Sequence, residues 1–225
     1  MSRTLLACLL VFSAPAWCQD VHPITGRQIA PTMGMGGAPW LVRPEREAEE
    51  SPDAALDAIH AAIGIAKGET VADIGAGVGY FTWRLASRIG PGGKVYAVDI
   101  QQGMLDQLRR NMAARKLSNY EAVLGAVDDP RLPSGRMDLA LLVDVYHEFS
   151  RPVEMLRKIR AALKADGRMV LLEYRKEDPR VPILPAHKMS AAEVKAEIEP
   201  EGFRLEKALE NLPRQHILIF RKNTM

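Results

Sequence analysis

The stretch Val71-Ala72-Asp73-Ile74-Gly75-Ala76-Gly77-Val78-Gly79-Tyr80 places a short apolar run directly before three alternating glycines. This pattern predicts a strand, a tight turn and the first turn of a helix. Glycine can adopt positive φ and has no Cβ to hold a ligand away from the backbone. The unpaired N–H groups of a helix N-terminus favour a ligand with negative charge. The stretch therefore predicts a binding site for a small molecule that carries an anionic group.

Two features of this stretch argue against a dinucleotide as the ligand. The dinucleotide fingerprint G-x-G-x-x-G would require glycine at position 80, where Tyr80 stands. The carboxylate of Asp73 would repel a pyrophosphate, but it suits a ligand that carries an ammonium group. A second short strand pattern, Lys94–Asp99, ends in an acid at the position where a ribose diol would be bound.

Together, these two stretches resemble the class I S-adenosylmethionine (SAM)-dependent methyltransferases, and the resemblance extends from about residue 52 to residue 222. It implies an α/β fold with a Rossmann-like, doubly wound, seven-stranded sheet, mostly parallel with an antiparallel last strand. It also implies SAM as the cofactor. The glycine loop would approach the methionine part, the first acid would hold its amino group, and the second acid would accept both ribose hydroxyls. The residues expected to bind the cofactor are Asp73, Gly75, Gly77, Gly79, Asp99, Ile100, Asp128 and Asp144.

Asp128 is included because of a closer similarity to the ubiquinone/menaquinone-type methyltransferases. These carry an acid four residues before a Leu-Pro pair, and Asp128 stands in that relation to Leu132-Pro133. The similarity implies that Asp128 accepts a hydrogen bond from the adenine amino group. The alternative is that Asp128-Asp129-Pro130 only forms a turn.

Hydrophobic periodicity predicts the elements of such a sheet. The predicted strands are 70–74, 94–99, 121–124, 137–143, 168–173, 203–209 and 216–220. Helices are expected to begin at Pro52 and Pro152, with Gly167 ending the second of these. Ser190 and Glu193 are spaced as a capping box for the last helix, 191–199.

Four polar side chains follow the predicted central strand 137–143, namely Asp144, Tyr146, His147 and Glu148. Ligands of parallel sheets bind at the carboxyl ends of the strands, so the methyl acceptor is expected here. His147 is the candidate catalytic base for an acceptor that must lose a proton, because histidine titrates near neutral pH. A helix-capping or packing role is the alternative for His147. Glu148 and Tyr146 are the other candidate catalytic residues.

Three side chains further along the chain, Glu173, Tyr174 and His187, could orient the amine or hydroxyl of an acceptor. No metal site is expected, because His147, His187 and His216 are far apart in the sequence and lack the short ligand spacing of zinc sites.

The composition is that of an ordinary globular domain. The chain has 225 residues, 47% of them hydrophobic, and a formal net charge of +2. This charge gives no reason to expect nucleic acid as a partner. No apolar stretch reaches the eighteen or so residues that a membrane-spanning helix needs. Nothing in the sequence indicates an oligomeric state.

The N-terminus carries the pattern of a secretory signal peptide. Arg3 is followed by the apolar run Leu5–Phe12 and by the small residues of Ala14–Ala16. The pattern predicts cleavage after residue 16 and export to the periplasm or the medium. A buried N-terminal strand or helix is the alternative. A lipid anchor at Cys18 is not expected, because the preceding Trp17 is bulkier than the small residue usual there.

The predicted organisation is therefore a signal peptide over 1–16, an N-terminal arm over 17–51 and a methyltransferase domain over 52–225. The arm shows no sustained period. It lies along the domain surface or forms a lid in which Trp40 excludes water from the site.

The function expected from the sequence is SAM-dependent transfer of a methyl group to a small-molecule or protein acceptor. The alternative is an exported, non-catalytic module of the same fold that binds SAM or another nucleoside. The signal peptide keeps this alternative open, because SAM is made in the cytoplasm. An aminopropyl transfer has no supporting motif. Fold alone names no acceptor.

Overall fold

The computed structural model describes residues 21–223. The predicted signal peptide over 1–16 and Cys18 lie outside this range, so both stay predictions. Within residues 21–223, no helix is both long and apolar enough to cross a membrane.

Seven strands form one mixed sheet in the order β3-β2-β1-β4-β5-β7-β6. They are β1 Thr70–Ile74, β2 Lys94–Asp99, β3 Tyr120–Leu124, β4 Met137–Val143, β5 Leu163–Tyr174, β6 Phe203–Leu209 and β7 Gln215–Lys222. The first five strands are parallel, and β7 inserts antiparallel between β5 and β6. The predicted α/β fold with a seven-stranded, mostly parallel sheet is confirmed.

Among the described residues there are six α-helices. They are α1 Glu45–Glu50, α2 Pro52–Ile63, α3 Thr82–Ile89, α4 Gln102–Ala114, α5 Pro152–Ala162 and α6 Ala191–Ile198. Of these, α2–α6 pack on the faces of the sheet. Apolar residues of α2, α3 and α4 share one buried cluster, and those of α5 and α6 share the other. Leu141 of β4 belongs to the first cluster and Leu142 to the second, as expected for a strand buried on both faces.

The site lies where the chain changes direction across the sheet. From β1 the chain passes outward to β2 and β3, and then returns to β4 on the other side of β1. The connections after β1 and β4 therefore diverge to opposite sides. This divergence leaves a crevice beyond the carboxyl ends of the two strands, which is where such sheets bind ligands.

One predicted helix end is wrong. Helix α5 ends at Ala162, not near Gly167, because Leu163 is already extended and pairs with Met137. Gly167 instead lies within β5, in an irregular stretch where a Cβ would be 2.7 Å from the carbonyl oxygen of Met137. The glycine thus permits a close approach of two strands. The Ser190–Glu193 capping box of α6 is confirmed.

The segment that precedes the domain is held to it by a buried ion pair. Nε and Nη2 of Arg27 donate to the two carboxylate oxygens of Glu197 in α6, at 2.9 and 3.0 Å. Nη1 of Arg27 and the backbone N–H of Ala30 both donate to the carbonyl oxygen of His147, at 3.2 and 3.0 Å. The arm is therefore tied to the backbone of a candidate catalytic residue.

We expect Arg27→Ala to lower the free energy of unfolding by about 3 kcal/mol, because it leaves the buried Glu197 carboxylate without its cation. Chemical denaturation measures the change. Arg180→Ala is the matched control, because Arg180 pairs with Asp178 in an exposed position and should have no measurable effect. Equal effects of the two substitutions would contradict the anchoring role of Arg27.

Candidate functional site

A cavity of about 440 Å³ lies at the carboxyl ends of the parallel strands. Its wall combines the glycine turn after β1, the ends of β2, β4 and β5, the arm and the loop before α6. The residues on which its chemistry depends are Trp40, Leu41, Arg46, Glu50, Asp73, Gly75, Gly77, Asp99, Asp144, His147, Glu148, Tyr174 and His187.

The glycine turn is fixed to the end of β2 by backbone hydrogen bonds. The N–H groups of Gly75 and Ala76 both donate to the carbonyl oxygen of Val98 at 2.9 Å. Gly75 has φ of +75°, and a Cβ there would overlap the side chain of Val145. A Cβ on Gly77 would lie 2.9 Å from Leu41 of the arm. Both positions therefore require glycine, because a side chain would overlap a neighbouring residue of the cavity wall.

Gly79 is not among the described residues that line the cavity. A Cβ there would lie 2.9 Å from Leu108. The glycine therefore permits close packing of the turn on α4. The contact of Gly79 with the cofactor that was expected from the sequence stays a prediction.

Asp99 lies at the end of β2 beside the glycine turn. Its Oδ2 accepts the N–H of Gly77 and its Oδ1 accepts the N–H of Gln101, both at 2.9 Å. Burial raises its pKa, and the backbone donors oppose that shift. A carboxylate has about four lone-pair sites, so each oxygen of Asp99 can still accept a hydroxyl. Ile100, 40% exposed, lines the cavity next to it.

Asp73 lies beneath the turn and is fully buried. Its Oδ2 accepts the hydroxyl of Thr82 at 2.6 Å. Burial raises the pKa of Asp73 to about 6, while the Thr82 hydrogen bond and the charge of Arg46 lower it. A cationic group placed in the cavity would restore the ionised form of Asp73.

Asp128 is exposed and is not among the described residues that line the cavity. Its neighbours Ala126 and Val127 do line it. The backbones of Ala126 and Asp129 hydrogen-bond to each other in both directions, at 2.8 and 3.4 Å. This geometry matches the turn-forming alternative for Asp128, not the adenine contact that the similarity implied.

Asp144 follows β4 in a left-handed conformation, with φ of +49°. Its Oδ2 accepts the amide of Gln215 at 2.7 Å, and its buried Oδ1 has no hydrogen-bond partner among residues 21–223. Burial raises its pKa well above the usual range, helped by the charges of Glu50 and Glu173. Asp144 therefore offers an unpaired acceptor oxygen in the cavity wall.

Two charged residues of the cavity wall, Arg46 and Glu50, come from the arm and were missed in the sequence. Nε of Arg46 donates to the carboxylate of Glu50 at 2.7 and 2.8 Å, and Nη2 of Arg46 lies 3.9 Å from Oδ2 of Asp144. The hydroxyl of Tyr174 donates to Oε1 of Glu50 at 2.8 Å. The i, i+4 spacing of Arg46 and Glu50 was visible in the sequence, but it is equally common on exposed helices.

The opposite side of the cavity carries a cluster of imidazoles and carboxylates. Nδ1 of His147 lies 2.6 Å from Oε2 of Glu173, and Nε2 of His147 lies 3.1 Å from Nδ1 of His187. Oε1 of Glu148 is 4.0 Å from the first histidine and 3.8 Å from the second. Burial raises the pKa of Glu148 to about 7 and lowers that of His187. We call His147, Glu148, Glu173 and His187 the acceptor cluster.

The structure shows where the histidines and Tyr146 lie. The forty residues between His147 and His187 do not keep them apart, because the loop before α6 folds back over the end of β4. His216 does lie elsewhere, between Glu177 and Glu210. Tyr146 is fully buried, and the described part of the cavity wall does not include it. Its side chain packs with the α5 and α6 cluster, and its catalytic role stays a prediction.

The cavity suits SAM on the evidence of its own atoms. The bare backbone at Gly75 and Gly77 leaves room that a side chain would fill. Asp73 and Asp99 supply buried carboxylates for an ammonium group and a diol. Among the described residues of the wall, the Asp, Glu, Arg and Lys side chains amount to five carboxyl groups and one arginine. This excess of carboxyl groups suits a ligand with positive charge.

Comparison with known proteins agrees with this geometry. A family model described as a methyltransferase domain matches residues 65–214. The ubiquinone/menaquinone biosynthesis C-methyltransferase UbiE of Ectopseudomonas mendocina is 29% identical over 122 residues, which are 54% of this chain and 47% of that protein. An uncharacterized 37.1 kDa protein of Streptomyces fradiae is 32% identical over 106 residues, 47% of this chain and 30% of that one. The chain thus spans less than half the length of these relatives.

The fold is also that of a solved protein. A SAM-dependent methyltransferase from Aquifex aeolicus superposes with a TM-score of 0.78 at 24% identity, covering 84% of this chain and 98% of that one. At this level of sequence identity, the similarity shows a shared fold only.

The pKa of Asp73 makes cofactor binding depend on pH. If SAM is held by the ionised carboxylate, its affinity should fall about tenfold between pH 7.5 and pH 5, because a group with a pKa of about 6 is mostly protonated at pH 5. Calorimetric titration with SAM measures this. Asp73→Asn should bind more weakly at pH 7.5 and lose most of the pH dependence. An unchanged slope in Asp73→Asn would contradict the assignment.

Proposed function

By family and fold the chain is a class I SAM-dependent methyltransferase domain, belonging to the methyltransferase-domain family, and we propose that the protein methylates a small-molecule acceptor. One observation carries the proposal. A single cavity is lined by the glycine turn, by Asp99 and by His147, Glu148 and His187 of the acceptor cluster. Donor and acceptor would therefore meet in one enclosed space.

The glycine-turn side of the cavity would hold the donor. SAM supplies a methyl group on a positively charged sulfur, which is already electrophilic. Asp99 would accept the ribose hydroxyls with the lone pairs that its backbone donors leave free. Asp73 would bind the ammonium group, and the backbone at Gly75 and Gly77 would lie along the methionine part.

The charge of the cavity would favour the same ligand. Asp144 presents an unpaired buried oxygen, and the Arg46–Glu50 pair of the arm lies against it. Bringing a cation among these carboxylates lowers their mutual repulsion, and the low dielectric strengthens the attraction. The arm would thus take part in the site, since it supplies Arg46, Glu50 and the covering side chain Leu41.

The acceptor is proposed to be small because the acceptor cluster is deep. His147 is 2% exposed and Glu173 is fully buried. The exposed side chains that line the same cavity include Ile100, Val127 and Leu184, so the approach is largely apolar. A folded protein surface could not bring a side chain to His147 without opening this wall.

The acceptor is further proposed to carry a hydroxyl, thiol or amine. The cluster of two imidazoles and two carboxylates can hold or remove a proton, which a hydroxyl or thiol must lose before it attacks. Proximity and the exclusion of water would supply the rest of the rate acceleration.

We also propose that the protein acts outside the cytoplasm, from the signal-peptide pattern of residues 1–16. The N-terminal residue of the protein isolated from its native host tests this, with Trp17 expected.

Asp99→Ala should weaken SAM binding by about 1.5–3 kcal/mol, the range for hydrogen bonds to a charged group. In an assay with methyl-labelled SAM and cell extract, label should enter the small-molecule fraction, and Asp99→Ala should reduce this transfer. Asp106→Ala, an exposed aspartate on α4, is the matched control and should change neither result.

Three outcomes of this assay would contradict the proposal. Label that enters only the protein fraction would refute a small acceptor. SAM binding without transfer to either fraction would favour the non-catalytic binding module. Equal SAM affinity of Asp99→Ala and the unmodified protein would refute the role of Asp99.

A further inference from the structure

The acceptor cluster has a composition that a base alone would not require. Among residues 21–223, His147, Glu148 and His187 form the group whose possible ligand atoms all lie within 4.8 Å of one another. All three side chains line the cavity. We propose that they bind a divalent transition-metal ion, and that this ion holds the nucleophilic atom of the methyl acceptor. The role in catalysis rests on the proposed function, whereas the binding of the ion does not.

The distances fit one shared ion. Metal–ligand bonds to imidazole nitrogen and carboxylate oxygen are about 2.0–2.2 Å, so neighbouring ligand atoms lie about 3–3.5 Å apart. Nε2 of His147 and Nδ1 of His187 are already 3.1 Å apart. Oε1 of Glu148 lies 4.0 Å from the first of these nitrogens and 3.8 Å from the second, and it needs to move by less than about 1 Å.

The orientation of His147 is that of a metal ligand. Oε2 of Glu173 lies 2.6 Å from Nδ1 of His147, which places the proton on Nδ1 and leaves a lone pair on Nε2. Glu173 is held in turn, because its Oε1 accepts the N–H of Tyr146 at 2.9 Å. A carboxylate behind a ligating histidine is the usual support in metal sites, where it fixes the ring and strengthens the ligand.

Glu148 is oriented in a compatible way. Its Oε2 accepts the N–H of Met33 from the arm at 3.4 Å. The other oxygen, Oε1, faces the two histidines. The carboxylate therefore has one oxygen for the backbone and one for the ion.

The ligand set selects the class of ion. Two imidazoles and one carboxylate suit Zn²⁺, Fe²⁺, Mn²⁺ or Co²⁺, whereas Mg²⁺ and Ca²⁺ prefer oxygen ligands throughout. Three protein ligands leave coordination positions open, which is the arrangement of reactive sites. These open positions face the cavity, because all three ligands line it.

The ion would prepare the acceptor for methyl transfer. A hydroxyl or thiol that binds a divalent cation loses its proton more readily, because the cation stabilises the anion. The proton passes to water. The freed electron pair forms the new bond to the methyl carbon, and the electron pair of the S–CH₃ bond stays on sulfur, which gives neutral S-adenosylhomocysteine.

Without an ion, the same atoms form a different arrangement. His187 then donates from Nδ1 to Nε2 of His147, and this hydrogen bond occupies the lone pair that a base would need. The sequence predicted that His147 acts alone as a base, and this is the hypothesis that competes with the metal site.

The test uses tag-free protein stripped with a chelator and titrated with Co²⁺ and Zn²⁺. We expect one ion per chain, with visible absorption bands for bound Co²⁺. His187→Ala and Glu148→Gln should each weaken binding at least about 100-fold, since each removes one of three ligands. Glu173→Gln should weaken it about 10- to 100-fold through the loss of support for His147. His60→Ala on α2 is the matched control, because within residues 21–223 its ring forms hydrogen bonds with the backbone of Ile65 alone.

SAM binding by the same variants separates this proposal from the proposed function. His187→Ala and Glu148→Gln should remain folded, as judged by thermal unfolding, and should still show detectable SAM binding, because the proposed SAM ligands Asp73 and Asp99 are intact. Equal ion affinity of these variants and the unmodified protein would overturn the metal site and leave the methyltransferase proposal standing. Full methyl transfer by stripped protein would overturn the role of the ion. Loss of SAM binding by the unmodified protein would instead refute the proposed function.

Discussion

The site depends on the attachment of the glycine turn to the neighbouring strand. The N–H groups of Gly75 and Ala76 converge on the carbonyl oxygen of Val98, and the N–H of Gly77 binds the carboxylate of Asp99. These bonds require β1 and β2 to be parallel and in register, so that both end at one edge of the sheet. The same edge receives β4 and β5, which bring Asp144 and Glu173 to the cavity. The sheet order thus sets the positions of the donor and acceptor sides together.

The N-terminal arm supplies part of the cavity wall that the sheet forms. The sheet supplies an edge lined with carboxylates, whose burial raises the pKa of Asp73, Asp99 and Asp144. Arg46 from the arm is the one arginine in the described part of the cavity wall, and it lies among these carboxylates. Its Nε donates a hydrogen bond to the carboxylate of Glu50. The excess of buried acid is costly in the free protein, and a cationic ligand would relieve it. Binding of a cationic ligand and packing of the arm against the site would therefore stabilise each other.

The sequence predicted the sheet well, because strand patterns are local. Asp73 and Asp99 adjoin their own strands, so that strand positions alone place them. Arg46 was missed because its burial depends on the packing of the arm. The contact of His187 with His147 was not expected because forty residues separate the two in the chain. The burial of Tyr146 was not expected, because position at a strand end does not determine which way a side chain points. Gly167 was misread as a helix stop because its close approach to Met137 exists only in the folded sheet.

The most direct test is a crystal structure of the complex with S-adenosylhomocysteine. The central claim is that donor and acceptor meet in one cavity between the glycine turn and the acceptor cluster. The ribose hydroxyls should then contact the carboxylate of Asp99, and the sulfur should face His147 and His187 across the open part of the cavity. A ligand bound away from Asp99, or with its sulfur turned from the histidines toward solvent, would contradict that claim.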